Sequence, residues 1–149
     1  MNVFRITLSK FASLTASGLG ARWNSTGVEM IYTSSTLSLA CLENIAHRKE
    51  HGRLLNYRTI IIDIPDIIPR EIIRLPDLPG DWINFNKDSY SKCRVFGNNW
   101  INNGKSAVLQ VPSAIIKTEF NYLINPSHSD FKKIKIISSE PFFFDPRIK

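Results

Sequence analysis

Four side chains of this sequence have the chemistry needed to bind and transform a charged substrate: Arg22, Tyr32, Glu43 and Ser113. A guanidinium holds a phosphate through its rigid fork of donors, and a carboxylate stabilises developing positive charge. A phenol supplies a flat ring for stacking and a hydroxyl for orientation. The four residues lie far apart in sequence beside hydrophobic or turn-forming residues, so they form one site only in the folded chain.

A second group of residues is predicted to support substrate binding. Arg5 can supply a second guanidinium that binds phosphate if the first strand lies beside the loop that carries Arg22. Its alternative role is that of a surface ion-pair partner. Asn24, Ser34 and Asn121 are predicted further contacts to the bound molecule. Together with the first group they give eight candidate site residues.

Each main candidate also has an ordinary structural interpretation. Glu43 lies on a polar stripe of a mostly apolar helix, and this stripe either faces water or lines a cleft. Tyr32 has the alternative role of a core residue with a satisfied hydroxyl, and Ser113 that of a turn residue. Because no base adjacent to Ser113 is identifiable in the sequence, its hydroxyl is expected to bind substrate and not to act as a nucleophile.

The histidines do not form a convincing metal motif. His47 and His51 are four residues apart, which is the spacing of two zinc ligands on a helix. The intervening residues lack the glutamate of the metalloprotease motif, and a third ligand is not evident. We therefore expect no metal site.

Local patterns predict an alternation of strands and two helices that positions these residues. A polar loop over residues 13–27 carries Arg22, and a helix capped by Ser35 or Thr36 and running to about residue 47 carries Glu43. The second helix is predicted over residues 88–102, although Gly97 weakens it. Strands are predicted over residues 3–8, 30–33, 59–64, 107–111, 114–124 and 133–144.

Size and composition indicate one globular domain over residues 1–149. The chain is 43% hydrophobic and 21% charged, and no stretch is long enough for a membrane span. The first residues do not resemble a secretory signal, so a cytoplasmic location and two free thiols, Cys41 and Cys93, are expected. The net charge of +6 favours an anionic partner: a nucleotide, a nucleic acid or an acidic protein.

Short motifs along nearly the whole chain resemble those of the RES-domain family, bacterial toxins named for an Arg, a Glu and a Ser. No single motif is specific to this family, but the number of motifs and their order along the chain are specific. They are Phe4-Arg5-Ile6, Arg22-Trp23-Asn24-Ser25 with Gly27, Tyr32-Thr33-Ser34-Ser35, Leu39-Ala40 with Glu43, Asp77-Leu78-Pro79 with Trp82, Gly97 with Trp100, Val111-Pro112-Ser113, Asn121 with Asn125-Pro126 and His128, and Phe144-Asp145-Pro146-Arg147.

The resemblance implies an α+β fold similar to ADP-ribosyltransferases, with a split central sheet and flanking helices. It also implies a toxin that cleaves NAD as its substrate, with Glu43 bonded to a ribose hydroxyl, and that has no resident cofactor. Inorganic phosphate is the expected co-substrate, giving ADP-ribose 1-phosphate and nicotinamide; water or a protein side chain are the alternative acceptors. The implied partner is an antitoxin with a helix-turn-helix DNA-binding part, in a hetero-oligomer without direct contact of this chain to nucleic acid.

Two alternatives without catalysis stay open at this stage. A basic module that binds nucleic acid would need aromatic residues interleaved with a basic stripe. The aromatic run Phe142-Phe143-Phe144 lies instead between Pro141 and Asp145 and is typical of a core segment. The other alternative is an inactive relative that only binds an antitoxin, for which Glu43 would be dispensable.

Overall fold

The computed structural model describes residues 1–48 and 55–148, which form seven strands and two α-helices. Short 3-10 helices occur at Ser9–Phe11, Leu75–Asp77 and Ser129–Lys133. In chain order the main elements are β1 (Asn2–Leu8), β2 (Ile31–Ser34), α1 (Leu37–His47), β3 (Tyr57–Asp63), β4 (Arg70–Ile72), α2 (Lys87–Asn103), β5 (Val108–Pro112), β6 (Phe120–Ile124) and β7 (Lys135–Phe142).

All seven strands belong to one sheet with the order β4-β5-β6-β2-β1-β3-β7. β4 and β5 are parallel, and the other neighbours are antiparallel. β1 pairs with β3 from Asn2 to Leu8, whereas β1 and β2 are joined only by the pair Phe4–Ser34. The sheet therefore consists of two halves that separate at this junction, which confirms the predicted α+β fold with a split sheet.

The buried strands follow from their side chains. The β-branched run 59–64 forms most of β3, where Ile60 and Ile62 are fully buried between β1 and β7. Every residue of β5 is buried, as expected for a strand covered on both faces. Leu109 and Val111 of β5 pack with Cys93 and Trp100 of α2. The second helix therefore covers this half of the sheet.

Both helices begin and end at recognisable capping residues. Thr36 accepts a hydrogen bond from the Leu39 amide at 3.1 Å and starts α1, which packs on β1. Asn86 accepts from the Ser89 amide at 2.9 Å and starts α2. Gly104 ends α2 with a φ of 59°, a left-handed conformation that glycine adopts without strain. The predicted helix positions are confirmed.

Gly97 has a different role from the one that its helix propensity suggests. A Cβ at this position would lie 1.8 Å from the carbonyl oxygen of Trp23. The missing side chain lets α2 touch the backbone of the loop that carries Arg22, where Trp23 is buried. Gly97 is thus required for a close approach of two backbones.

The last two strands are shorter than predicted. Residues 114–119 form a turn in which the Ser113 amide donates to the Glu119 carbonyl at 2.9 Å, so β6 begins only at Phe120. Lys133 belongs to a 3-10 helix, and β7 runs from Lys135 to Phe142. Their hydrophobic residues do not distinguish a strand from a turn that packs against the same core.

Two further sequence expectations concern thiols and membrane spans. Cys41 and Cys93 are both free, as predicted. In residues 1–48 and 55–148, no helix has both the length and the apolar character needed to cross a bilayer.

Candidate active site

A cavity of about 420 Å³ lies at the junction of the two half-sheets, lined by residues of β1, β2 and α1 and by the loop before β2. Its volume lies within the range of small-molecule sites. Six of the eight candidate residues line it: Arg5, Arg22, Tyr32, Ser34, Glu43 and Asn121. The fold therefore brings together residues that are far apart in the sequence.

Glu43 occupies the wall of this cavity, so its stripe on α1 lines a cleft. Its Oε1 accepts hydrogen bonds from Asn121 Nδ2 at 2.7 Å and from Ser113 Oγ at 3.0 Å. Its Oε2 lies 3.7 Å from Nε2 of His47, one helical turn later. The carboxylate side chain is 22% exposed and is held from two sides.

The surroundings of Glu43 favour its ionised form. Burial alone would raise the pKa of this carboxyl group. Contact with His47 and the hydrogen bonds from Asn121 and Ser113 outweigh burial, so the pKa of Glu43 lies below its usual value. The cavity therefore contains a negative charge at neutral pH.

Asn121 is oriented by the register of the sheet. Ser34 of β2 is the partner of Asn121 on β6, and Ser34 Oγ donates to Asn121 Oδ1 at 2.8 Å. The ionised Glu43 carboxylate can only accept, so the Asn121 atom that faces it is Nδ2, and Oδ1 is the acceptor for Ser34. Two strands and a helix thereby fix the position of the carboxylate.

Ser113 lies behind Glu43 and is not part of the cavity wall. Besides donating to Glu43, its oxygen accepts hydrogen bonds from the amides of Ile115 at 3.0 Å and Ile116 at 3.2 Å. The expected free hydroxyl at the strand end is therefore already engaged, because the turn after β5 folds back over it. Ser113 orients Glu43 in this structure.

Arg22 contributes a fixed positive charge to the cavity. Its guanidinium donates to the carbonyl of Trp82, and to those of Ile83 and Asn84 at 3.4 Å each. The ring of Tyr90 lies 4.5 Å from the Cζ atom of Arg22. Within the described residues Arg22 has no carboxylate partner, so its charge is available to an anion.

Arg5 lines the same cavity from β1 and donates to the Ser13 carbonyl at 3.1 Å. Burial lowers the pKa of its guanidinium, because removal from water disfavours the charged form. The alternative role as a surface ion-pair partner is not seen in the part of the chain that the structure describes. A bound anion would offset the cost of burying this charge.

Tyr32 and Asn24 form a connected pair, but only Tyr32 lines the cavity. The Tyr32 hydroxyl donates to Asn24 Oδ1 at 2.7 Å and accepts from the Trp23 amide at 3.1 Å. Burial raises the pKa of Tyr32, which keeps the phenol protonated. Asn24 is 1% exposed and donates to the carbonyls of Leu19 and Val28 at 2.9 and 2.8 Å. Asn24 thus shapes the loop from behind and does not face the cavity.

The chain as a whole can be compared with known proteins. The RES domain family model matches residues 2–145. The chain belongs to the RES-domain family. A protein of Sphingobium sp. strain YBL2 named "Prs ADP-ribosylating toxin" is 37% identical over 134 residues, covering 87% of this RES domain chain and 80% of that protein. A "Toxin Res" of Yersinia enterocolitica is 33% identical over 157 residues, which cover 100% of both chains.

A solved structure shows the same fold. A chain from the crystal structure of the M. tuberculosis MbcT–MbcA toxin–antitoxin complex superposes with a TM-score of 0.79. The match covers 95% of this RES domain chain and 84% of that chain, with 18% sequence identity.

Three cavity residues on α1 or at its end were not among the candidate site residues. Two of them, Asn44 and His47, share the predicted polar stripe with Glu43, whereas Arg48 was not singled out. Asn44, His47 and Arg48 all line the cavity. Their spacing from Glu43 on the helix was the available signal, but only the position of β1 shows that this side of the helix is covered. His51 lies outside the described residues, and among the described ones no group of three potential ligands is arranged to hold a metal.

Replacing His47 with Ala is expected to raise the pKa of Glu43, because the mutant loses the charge contact that favours the carboxylate. Protonation of Glu43 then begins at higher pH, so the acid limb of kcat/KM for any reaction that needs the Glu43 carboxylate moves upward. A pH profile from 3.5 to 8 measures the shift. His128→Ala is the control, since His128 caps a 3-10 helix and does not line the cavity. Superimposable acid limbs in H47A and the parent would contradict the prediction.

Proposed function

We propose that this RES-domain chain is a bacterial toxin and an enzyme that cleaves NAD at the bond between nicotinamide and ribose. The observation that carries the proposal is an ionised Glu43 in one cavity with the guanidinium groups of Arg5 and Arg22. NAD has complementary features, with a cationic nicotinamide ribose next to an anionic pyrophosphate. The names of the relatives as toxins, one of them ADP-ribosylating, support the same chemistry.

Glu43 would act on the sugar. Breaking the bond between the ribose carbon and the nicotinamide nitrogen develops positive charge on the sugar, as in glycoside hydrolysis. A carboxylate that accepts a hydrogen bond from a ribose hydroxyl stabilises this charge more in the transition state than in the ground state. The bonding electrons neutralise the pyridinium, so nicotinamide leaves as a neutral molecule and needs no proton. The low pKa of Glu43 suits this role, because the group is needed as a charge and not as an acid.

The arginines would hold the phosphates. Arg22 is fixed by backbone carbonyls and Tyr90, and Arg5 by the Ser13 carbonyl, so little side-chain freedom remains to be lost on binding. We favour inorganic phosphate as the acceptor, because the basic residues that hold the pyrophosphate of NAD can also attract a second phosphate. One phosphate oxygen forms a bond to the ribose carbon as the bond to nicotinamide breaks, and the products are ADP-ribose 1-phosphate and nicotinamide. No resident cofactor or metal is required by this scheme.

A second acceptor is favoured by a specific observation. The Sphingobium relative is 37% identical, and its name describes an ADP-ribosylating toxin. In that reaction a nucleophilic side chain of a target protein replaces phosphate, while Glu43 and the arginines keep the same roles. With water as the acceptor the enzyme would be a NAD glycohydrolase. The three reactions differ only in the group that attacks the ribose carbon.

The proposed partner is a cognate antitoxin with a helix-turn-helix DNA-binding part, bound to this chain in a cytoplasmic hetero-oligomer. The similarity to a chain of a toxin–antitoxin complex supports this assignment. The net charge of +6 favours an acidic contact surface on the antitoxin. In this scheme the antitoxin contacts DNA and the toxin does not. Salt-sensitive binding of nucleic acid by the isolated chain would favour the binding-module alternative instead.

The reaction is tested by mixing the purified protein with NAD, with and without inorganic phosphate, and identifying the products by phosphorus NMR and chromatography. ADP-ribose 1-phosphate that forms only with phosphate is the expected result. ADP-ribose would indicate hydrolysis, and ADP-ribose attached to protein in a lysate would indicate transfer. Intact NAD under all three conditions would contradict the proposed function.

A further inference from the structure

Two residues of the cavity have polar atoms that the proposed roles do not use. Asn44 and Arg48 are four residues apart, one on α1 and the other at its C-cap, and both line the cavity. Asn44 Oδ1 and Arg48 Nη1 are buried and have no hydrogen-bond partner among the described residues. Buried polar atoms are nearly always paired, so an unpaired acceptor and an unpaired donor in one cavity indicate a ligand that supplies the partners.

The orientation of Asn44 is set by the sheet. Its Nδ2 donates to the Ile6 carbonyl on β1 at 3.1 Å. A flipped amide would place two oxygens against each other, so the free atom of Asn44 is the acceptor Oδ1. This position therefore requires an N–H or O–H donor from a ligand.

Arg48 is held in place by an aromatic cluster. Its Cζ atom lies 4.1 Å from the ring centroid of Phe144. Phe144 in turn makes edge-to-face contacts with Tyr57 at 5.2 Å and Phe142 at 4.9 Å between ring centroids. The guanidinium is thus positioned before any ligand binds, and its free Nη1 requires an acceptor.

The walls beside these two residues are mostly apolar. Ile6, Leu8, Ala40 and Tyr57 line the same cavity. Burial of Ile6, Ala40 and Tyr57 makes this region suited to a flat ring and unsuited to a phosphate or a hydrated sugar. A ring that enters here satisfies Asn44 Oδ1 and Arg48 Nη1 through the polar atoms on its edge.

We propose that Asn44 and Arg48 form a base-recognition subsite that binds the edge of a planar heterocycle carrying an N–H donor next to an acceptor. Asn44 Oδ1 accepts from the donor, and Arg48 Nη1 donates to the acceptor. The inference rests on the proposed function, because NAD carries two such edges. They are the nicotinamide carboxamide and the adenine edge formed by the amino group and a ring nitrogen.

Two NAD analogues distinguish these sources. In 3-acetylpyridine adenine dinucleotide a methyl group replaces the carboxamide NH₂, and in nicotinamide hypoxanthine dinucleotide an oxygen replaces the adenine amino group. We expect the parent enzyme to prefer NAD over one of them in kcat/KM by about 10- to 100-fold, because the analogue leaves Asn44 Oδ1 buried without a donor. The analogue that is discriminated against identifies the ring in the subsite.

Variants assign this preference to the two residues. Asn44→Leu removes the acceptor and keeps the number of side-chain heavy atoms. It also removes the Nδ2 donor to the Ile6 carbonyl, a loss that affects NAD and the analogue alike. Arg48→Met removes the donor while keeping an unbranched side chain. The ratio of kcat/KM between NAD and the discriminated analogue is expected to fall towards unity in N44L, and KM for NAD is expected to rise in R48M. Comparing this ratio between each variant and the parent cancels differences in the intrinsic reactivity of the leaving groups. Ser89→Ala is the control, because Ser89 Oγ is also buried and unpaired but does not line the cavity.

Failure of this inference can be separated from failure of the proposed function. NAD cleavage with equal kcat/KM for all three dinucleotides, or a preference that persists unchanged in both N44L and R48M, overturns the subsite and leaves NAD cleavage intact. Absence of any cleavage by the parent enzyme overturns the proposed function. In that case calorimetric titration with nicotinamide mononucleotide and with AMP still tests the subsite. Weaker binding of either ligand to R48M supports the subsite, and unchanged or absent binding of both overturns it.

Discussion

Glu43→Gln is expected to lower kcat for NAD cleavage by about 100- to 1,000-fold, the range found when a group that stabilises transition-state charge is removed. Glutamine has the same shape, and its amide oxygen can still accept from Ser113 and Asn121. The substitution therefore removes the negative charge while the two hydrogen bonds keep their acceptor. Initial rates of nicotinamide release with and without phosphate measure the effect.

Glu140→Gln is the matched control for this charge change, because Glu140 is exposed on β7 and does not line the cavity. It should retain the parent rate. In cells, induction of the parent chain without antitoxin should deplete NAD and stop growth, and induction of E43Q should do neither. Equal, measurable NAD cleavage by E43Q and the parent would remove Glu43 from the reaction. Absence of cleavage by both proteins would favour a chain that only binds its antitoxin.

Gly97→Ala is expected to destabilise the folded chain by about 3 kcal/mol, at the upper end of the usual cost of overpacking. The new Cβ on α2 would lie 1.8 Å from the Trp23 carbonyl oxygen. This oxygen belongs to the backbone and cannot swing away as the end of a flexible side chain could. Separation of α2 from the loop would also displace Arg22, which follows Ala21 and precedes Trp23. Denaturant unfolding followed by tryptophan fluorescence measures the loss of free energy of unfolding.

Gly80→Ala is the control for the loss of a glycine. A Cβ at Gly80 meets no atom within 4 Å, so its substitution should change stability by less than about 1 kcal/mol. NAD cleavage by G97A should fall in the temperature range where the protein is still folded, because the position of Arg22 changes. Parent-like stability of G97A would mean that α2 and the loop can separate without cost.

The elements that the sequence predicts well are those with strong local signals. The β-branched run of β3 and the cap at Thr36, one of two predicted capping candidates, define their elements without tertiary information. The turn at 114–119 was predicted as strand because it begins with the hydrophobic residues Ala114, Ile115 and Ile116, although Ile115 is exposed in the structure. Gly97 was interpreted through helix propensity, whereas a contact with Trp23, far away in sequence, decides its role.

Prediction of the candidate site from sequence is limited in the same way, because long-range contacts decide it. Arg22, Tyr32 and Glu43, which the motifs single out, line one cavity in the structure. The engagement of Ser113 by Glu43 spans 70 positions, and the contact of Arg48 with Phe144 joins α1 to the end of the chain. Such contacts depend on how the strands are ordered, which local patterns do not contain. For this reason Arg48, and the buried acceptor of Asn44, emerge only from the structure.

The single pair Phe4–Ser34 between the two half-sheets has a consequence for a chain that is still being synthesised. Arg5 belongs to one half, Tyr32 and Asn121 belong to the other, and the strand that carries Asn121 is among the last to leave the ribosome. Before β6 is available, β2 lacks its long pairing partner and Glu43 lacks one of its donors. A nascent chain therefore lacks the assembled cavity until β6, and with it almost the whole polypeptide, has emerged.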